Sequence, residues 1–356
     1  MTATDPQAHV AAQLREQAEA CAAMGSPLYA SLLGRAALDV EEGGACWEVL
    51  RGHLLPGRGD ALALRFMAAV HRLALAGRAP ALAAVYAEAR APEVCVQRNA
   101  AAWAAFLEAV AAQPEALAKD VATPCQTNEV GRAAGLMWGL LALAARFALP
   151  LSLLEVGASA GLNLRLDRFR FGGGGAAWGD PDSPVDLGGL WAEAPPHADA
   201  RFEVASRLGC DPHPIDPLSP AGRHALLASV WADQGARFRR LEGALALAAR
   251  VPATVVRASA DAFVAERLAT PAPGAVTVVC HSVVQEYFDA GTARRFREAL
   301  HDAGTRASAE APLAWLRLEP VSALRHHGVT LTAWPGGEER LLATCGAHGQ
   351  EVRGAR

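Results

Sequence analysis

The hydrophobic period of this 356-residue chain changes at Pro150, and that change decides what each half can fold into. Before it, Leu62, Phe66, Val70 and Leu73 recur at helical spacing, and alanine-rich stretches of the same period surround Tyr86, Trp103 and Phe106. Turn chemistry separates these segments at Gly25-Ser26-Pro27, Glu42-Gly43-Gly44, Pro56-Gly57, Ala79-Pro80 and Gln113-Pro114. After Pro150 a short apolar run, 151–156, ends at Gly157 and leads into a helical pattern over 162–169. Strands are then expected near 202–210, 254–258, 276–281 and 313–318, with a closing hairpin of 329–334 and 340–345. Helices separate them at 221–249, broken near Asp233, and at 262–269 and 292–303. Alternation of this kind gives an α/β fold: a mostly parallel sheet with a C-terminal antiparallel hairpin. An all-helical N-terminal domain is read over 1–125 and the sheet domain over 126–356, with an irregular, turn-rich insertion at about 171–198.

The composition supports a core of that size and narrows the partners. With 52% hydrophobic residues and a net charge of -4, the chain is neither disordered nor a polycation. No basic patch points to nucleic acid or an anionic membrane, so a small-molecule substrate is the expected partner. Seven cysteines, an odd number with no C-x-x-C pair, imply neither a disulfide framework nor a zinc knuckle. The first residues hold Asp5, His9, Arg15 and Glu16 where an export signal needs an apolar core, so a cytoplasmic location is expected. The most membrane-like stretch, 136–154, is broken by Arg146 and Pro150, which suits a buried helix running into a strand.

The chemistry concentrates in Leu153-Leu154-Glu155-Val156-Gly157-Ala158-Ser159-Ala160-Gly161-Leu162-Asn163. A strand that ends in small residues and passes into a helix lets a ligand approach backbone N–H groups and the positive end of the helix dipole. Three chemistries use such a turn. Gly157-Ala158-Ser159-Ala160-Gly161 spells the G-x-S-x-G of a hydrolase elbow, and Asp261 and His281 follow in the required order, so a serine hydrolase using Ser159 is one alternative. Against it, the preceding residues are helical in pattern, and the one glycine run, Gly172 to Gly175, comes after the serine instead of upstream where an oxyanion segment is needed. Nicotinamide binding would require G-x-G-x-x-G with an acid ~20 residues on, but Ser159 holds the middle glycine position and turns surround Ala177.

Glu155-x-Gly157-x-Ser159-x-Gly161 resembles the acid-x-G-x-G-x-G first motif of class I methyltransferases, with serine at the middle glycine. The order of elements over about 125–350 is similar as well. Several segments also resemble a bacterial domain-of-unknown-function family: Gln126-Thr127-Asn128-Glu129-Val130-Gly131-Arg132, the 154–164 motif, Trp178-Gly179-Asp180-Pro181, Gly209-Cys210-Asp211 with Asp216-Pro217, Val230-Trp231 with Asp233-Gln234, His281-Ser282-Val283-Val284, and Trp334-Pro335-Gly336-Gly337. These resemblances imply a Rossmann-like methyltransferase sheet, S-adenosylmethionine as cofactor and methyl transfer to a small or medium acceptor. A protein that keeps the fold for ligand binding or interaction without catalysis is the other alternative.

Under the methyltransferase resemblance, Glu155 orients the cofactor's ammonium group, directly or through water; otherwise it caps the next helix. Gly157 and Gly161 permit close backbone approach, Ser159 donates to the cofactor or is merely small, and Asn163 completes the cofactor-binding motif. Asp211, after the second strand, would accept from ribose hydroxyls, with Asp216 and Asp180 as rivals because Asp211 stands 56 positions past Glu155. Asp261 would meet the adenine amine or cap a helix. His281 closes the fourth strand at the ligand-binding edge, as the catalytic candidate or as a satisfied structural histidine. Ser282 and Gln285 follow it, and Asn128, Glu129 and Arg132 precede the long apolar helix. These five are the substrate-side candidates, with Arg132 also suited to the cofactor's carboxylate.

Overall fold

A computed structural model describes residues 5–53, 61–91, 99–123, 125–321 and 326–355. Two compact units emerge, Met1–Thr127 with Ser219–Arg239, and Asn128–Leu218 with Arg240–Arg356. The Pro56-Gly57 separator and Cys95 lie outside the described residues.

The first unit is helical, as its period requires. It holds α1 (Pro6–Ala23), α2 (Pro27–Glu41), α3 (Ala45–Leu50), α4 (Leu62–Leu75), α5 (Pro80–Ala89), α6 (Asn99–Ala112) and α7 (Pro114–Val121). Proline opens α1, α2, α5 and α7, where a missing N–H costs no helical hydrogen bond. Leu14, Leu32, Phe66, Val70, Tyr86 and Phe106 are fully or almost fully buried in its core. The unit also takes in Ser219–Arg239, which the sequence reading had placed in the sheet domain. There the expected long helix is broken as read, into α9 (Pro220–Ala228) and α10 (Gly235–Ala248). Asp233 lies at the break, and its carboxylate accepts from Ser26 Oγ (2.6 Å) and the Leu28 amide (3.0 Å). Trp231 stacks on Tyr29 beside it, ring centroids 6.1 Å apart.

The second unit is built on β1 (Leu151–Val156), β5 (Val204–Asp211), β6 (Thr254–Arg257), β7 (Val276–Ser282), β8 (Leu313–Val321), β9 (His326–Trp334), β10 (Glu338–Cys345) and β11 (Arg353–Gly354), in the sheet order β11-β10-β9-β8-β7-β1-β5-β6. The five strands from β8 to β6 run parallel; β9, β10 and β11 each add antiparallel. The fold is therefore α/β with a mostly parallel sheet and antiparallel C-terminal strands. The expected closing hairpin is the β9–β10 pair, and β9 also pairs antiparallel with β8. Because the chain passes from β1 outward to β5 and β6, then returns to the other side of β1 for β7 and β8, its direction reverses beside β1. Such a reversal opens a crevice at the carboxyl ends of the strands, where ligands of open α/β sheets bind.

Helices cover both faces. On one, α8 (Ala133–Phe147) brings Gly135 against Leu318 and Val329, and Gly139 against Leu316. The stretch Val130–Phe147 is apolar enough to cross a membrane, yet 72% of it is buried within the protein, which makes it the core helix that the sequence pattern suggests. On the other face, α11 (Ala260–Arg267) and α12 (Ala290–Thr305) place Phe263, Phe296 and Leu300 over Leu154, Val156, Val279 and Trp315.

Between β1 and β5 the turn-rich insertion forms a three-stranded sheet of its own, β3 (Ala176–Trp178), β2 (Arg170–Gly173) and β4 (Asp186–Trp191). Trp191 stacks on Phe171 at 5.6 Å and donates Nε1–H to the Ala134 carbonyl (2.9 Å), fastening this sheet to α8.

Two elements depart from the sequence reading: the insertion, expected to be irregular, carries this small sheet, and the segment before it differs as well. The 162–169 segment is not an α-helix but a short 3-10 stretch, Asn163–Arg168, with non-helical backbone at Arg165. Its amides close short turns, Leu164 onto the Gly161 carbonyl and Arg165 onto that of Leu162, and the Arg165 guanidinium also takes the Gly161 carbonyl (2.7 Å). With that acceptor shared and β2 beginning at Arg170, no α-helical ladder propagates.

Close packing of α8 yields a test. A Cβ on Gly139 would stand 2.2 Å from Leu316 Cδ1, and Leu316 is fully buried with nowhere to yield. Gly139→Val is expected to destabilise the protein by about 1–3 kcal/mol through overpacking, measured by urea unfolding followed by tryptophan fluorescence.

Candidate functional site

The site is assembled at the carboxyl end of β1, beside the chain reversal. Glu155 pairs in register with Cys280 of β7 and Gly209 of β5, so it is flanked by strands on both sides. It is 4% exposed, and Oε2 has no hydrogen-bond partner among the described residues. Burial pushes its carboxyl up to about 8; Arg165 opposes the rise and Asp211 adds to it.

After Glu155 the backbone turns through three left-handed residues, Gly157 (φ 66), Ser159 (φ 53) and Gly161 (φ 65). For glycine this costs little, and for serine it is a strained conformation that the surroundings must hold. They do so with side chains. Asp211, at the end of β5, accepts the Ser159 amide on Oδ2 (2.9 Å) and the His213 amide on Oδ1 (2.8 Å). Asn128 Oδ1 accepts the Leu162 amide (3.0 Å), and Asn163 Nδ2 donates to the Glu129 carbonyl (3.1 Å). Glu129 Oε1 accepts the Gly131 amide (3.2 Å). Arg165 sends Nη1 to the Gly161 carbonyl and Nε to that of Val251 (2.6 Å). Asn163 Oδ1 stays buried without a partner among the described residues.

Glu155, Gly157, Ser159, Gly161, Asn163, Asp211, Asn128 and Glu129 are thus drawn together around one turn. Asn128 and Glu129 act there as braces of the turn. Of the three acids weighed for the ribose, Asp211 is at the turn. Asp216 and Asp180 each close a local turn instead, accepting the Leu218 and Asp182 amides (both 2.9 Å). The 56-residue gap before Asp211 is the length of the inserted three-stranded sheet and its connections.

His281 has a different role from the catalytic one considered for it. It is fully buried on the α11–α12 face, edge-on to Phe296. Trp315 Nε1–H, a donor only, points at His281 Nε2 (2.9 Å), which fixes the ring proton on Nδ1, facing Glu319 Oε1 (2.7 Å). Both nitrogens are engaged, so the histidine is a structural tie. Asp261 lies at the start of α11, paired with Arg295 (2.6 Å); burial raises its carboxyl, but hydrogen bonds from Ser259 and Arg295 outweigh this and hold it below the usual range. Arg132 donates to the carbonyls of Ala347 (3.0 Å) and Ser282 (3.4 Å), joining the C-terminal loop to the end of β7. Gln285 sits partly exposed in the short 3-10 turn Gln285–Tyr287. Sequence reasoning missed Glu319, Arg165 and Val284. An acid just past the apolar run 313–318 was the available signal for Glu319, and Arg165 was hidden inside an expected helix.

Ser159 shares the left-handed backbone of a hydrolase elbow, but its chain-order partners are committed elsewhere, His281 to Glu319 and Trp315, Asp261 to Arg295. A fluorophosphonate probe is expected to leave the protein unlabelled; stoichiometric labelling abolished by Ser159→Ala would restore the hydrolase alternative.

The raised carboxyl of Glu155 gives a pH signature. A group whose folded pKa exceeds its unfolded value of 4.5 contributes stability fully present below that value and lost as pH rises through about 8. Glu155→Gln imitates the protonated form, so mutant and parent should be alike near pH 4.5, and the mutant should be more stable by on the order of a few kcal/mol above pH 8. Paired urea titrations across this range check it; a constant difference at all pH values would contradict the burial argument.

A family model covers residues 11–353 of the chain. No curated protein and no solved structure matches it. With a match that spans both units and every residue of the site, the chain belongs to the bacterial DUF2332 family, described as an uncharacterized protein conserved in bacteria.

Proposed function

We propose that the protein binds S-adenosylmethionine at the carboxyl end of β1 and transfers its methyl group to a small or medium acceptor. One observation carries the reading: Glu155, nearly inaccessible and with Oε2 unanswered, closes the strand beside the chain reversal, two residues before the left-handed Gly157. A buried carboxylate without a partner is costly, and a cationic hydrogen-bond donor removes the cost. The cofactor's amino-acid end carries such a donor, an ammonium group. Asp211 supports the same reading from the neighbouring strand, since its carboxylate, the kind of acceptor a ribose hydroxyl needs, stands at the turn and accepts the Ser159 and His213 amides. The parallel order, with β1 between β5 and β7, also supports the reading, because it sets the chain reversal beside β1, where open α/β sheets take their ligands.

The bound cofactor supplies an electrophilic methyl group, and the chain's own work is binding and alignment. Glu155 would hold the ammonium end, Asp211 the sugar and Asp261, whose Oδ2 is taken by Arg295, the adenine amine through Oδ1, while the braced turn keeps the backbone from moving. Alignment of an acceptor with that methyl group needs no buried base, which agrees with a His281 that is fully engaged.

Calorimetry with S-adenosylmethionine and S-adenosylhomocysteine is the test. Both should bind, and Glu155→Gln should weaken binding by about 1.5–3 kcal/mol, the range for a hydrogen bond to a charged group. Absence of heat and of any thermal shift at millimolar ligand would refute the reading.

A further inference from the structure

The glycine turn is covered. A Cβ built on Gly157 would lie 2.4 Å from Val284 Cγ2, so the Val284 side chain already fills the space directly above this glycine, which a ligand lying on the turn needs. Val284 is held there by a short strap. Its amide donates to Glu319 Oε1 (3.0 Å), the same oxygen that meets His281 Nδ1. The preceding residue, Val283, donates its amide to the Leu318 carbonyl (2.8 Å) and has φ 54, a left-handed conformation that is a true outlier for a β-branched side chain. Beyond the strap the chain is fixed again, with Phe288 edge-on to Phe296 at 5.5 Å and Asp289 capping α12. Between these anchors lies the 3-10 turn Gln285–Tyr287, none of it buried, with Tyr287 69% exposed.

We infer that residues 283–287 form a latch over the cofactor turn, with Val284 as the plug and Glu319 as the positioning residue that holds it, and that the ligand enters by displacing Val284. The inference rests on the cofactor reading and adds how the site is opened. Its energetics are set by two opposed terms. Contact of Val284 with Gly157 and its bond to Glu319 favour the closed strap, while the left-handed backbone of Val283 favours release. A residue that served only as packing would give no reason for neighbouring substitutions to act in opposite directions on affinity.

The test measures S-adenosylhomocysteine binding to the full chain by calorimetry, in the parent, Val284→Ala and Val283→Gly, each first shown to be folded by its thermal transition. Val284→Ala trims the plug and should tighten binding about tenfold. Val283→Gly accepts the left-handed backbone without strain, steadies the closed strap and should weaken binding about fivefold. Equal affinity in all three proteins would overturn the latch and leave the cofactor reading standing. Absence of binding in all three, Val284→Ala included, would overturn both.

Discussion

A carboxyl group held out of water at the end of a central strand sets the terms for its surroundings. Removing an ion from water costs several kcal/mol unless partners replace the lost hydration, and Glu155 has one oxygen with no partner among the described residues. Its raised proton affinity is how the folded chain avoids that cost while no cation is supplied. Arg165, the cation that acts on it, spends Nε and Nη1 on the carbonyls of Val251 and Gly161. The arginine therefore tempers the carboxyl without satisfying it, and a cationic donor brought beside Oε2 would favour the ionised, accepting form.

The turn beside this carboxyl is held by means other than a helix. A strand-to-helix turn would offer aligned amides and a macrodipole, but Asn163–Arg168 is too short and too irregular for either. Its polar backbone is met group by group: Ser159 N by Asp211, Leu162 N by Asn128, Gly161 O by Arg165. Each brace comes from a different part of the chain, the entry to α8, the end of β5, and the 3-10 stretch itself. Rigidity at the site thus comes from side chains, and loss of the Asn128 carboxamide would take from the buried Leu162 amide its acceptor.

Much of this was legible in the sequence because it rests on period and turn chemistry. The strands of the large sheet other than β11, the break at Asp233 and the closing antiparallel pair follow from hydrophobic alternation and glycine or proline punctuation, whereas β2, β3 and β4 within the turn-rich insertion do not. The cluster of Glu155, Gly157, Ser159 and Gly161 was legible for the same reason, being local. The 3-10 stretch was not, because Leu162, Leu164 and Leu166 suit a helical or an irregular buried segment equally; the competing demand of Arg165 for the Gly161 carbonyl appears only in three dimensions. Nor could sequence place Ser219–Arg239 with the helical unit, since its ties to Ser26, Leu28 and Tyr29 join residues about two hundred positions apart.

The pleat explains why His281 and Glu155 play different parts although both close neighbouring strands. Glu155 pairs with Cys280, and Cys280 with Leu316, so this row of side chains lies on the face covered by α8. One residue on, His281 points to the opposite face, among Phe296 and Trp315. Chain order lists serine, aspartate and histidine as a triad would, but a strand alternates sides with every residue, and one position is enough to send the imidazole into the core under α12. There it meets a donor-only indole on one side and Glu319 on the other, and Glu319 in turn reaches the Val284 amide. The histidine thus acts on the glycine turn at second hand, through a carboxylate that fixes the strap lying over Gly157.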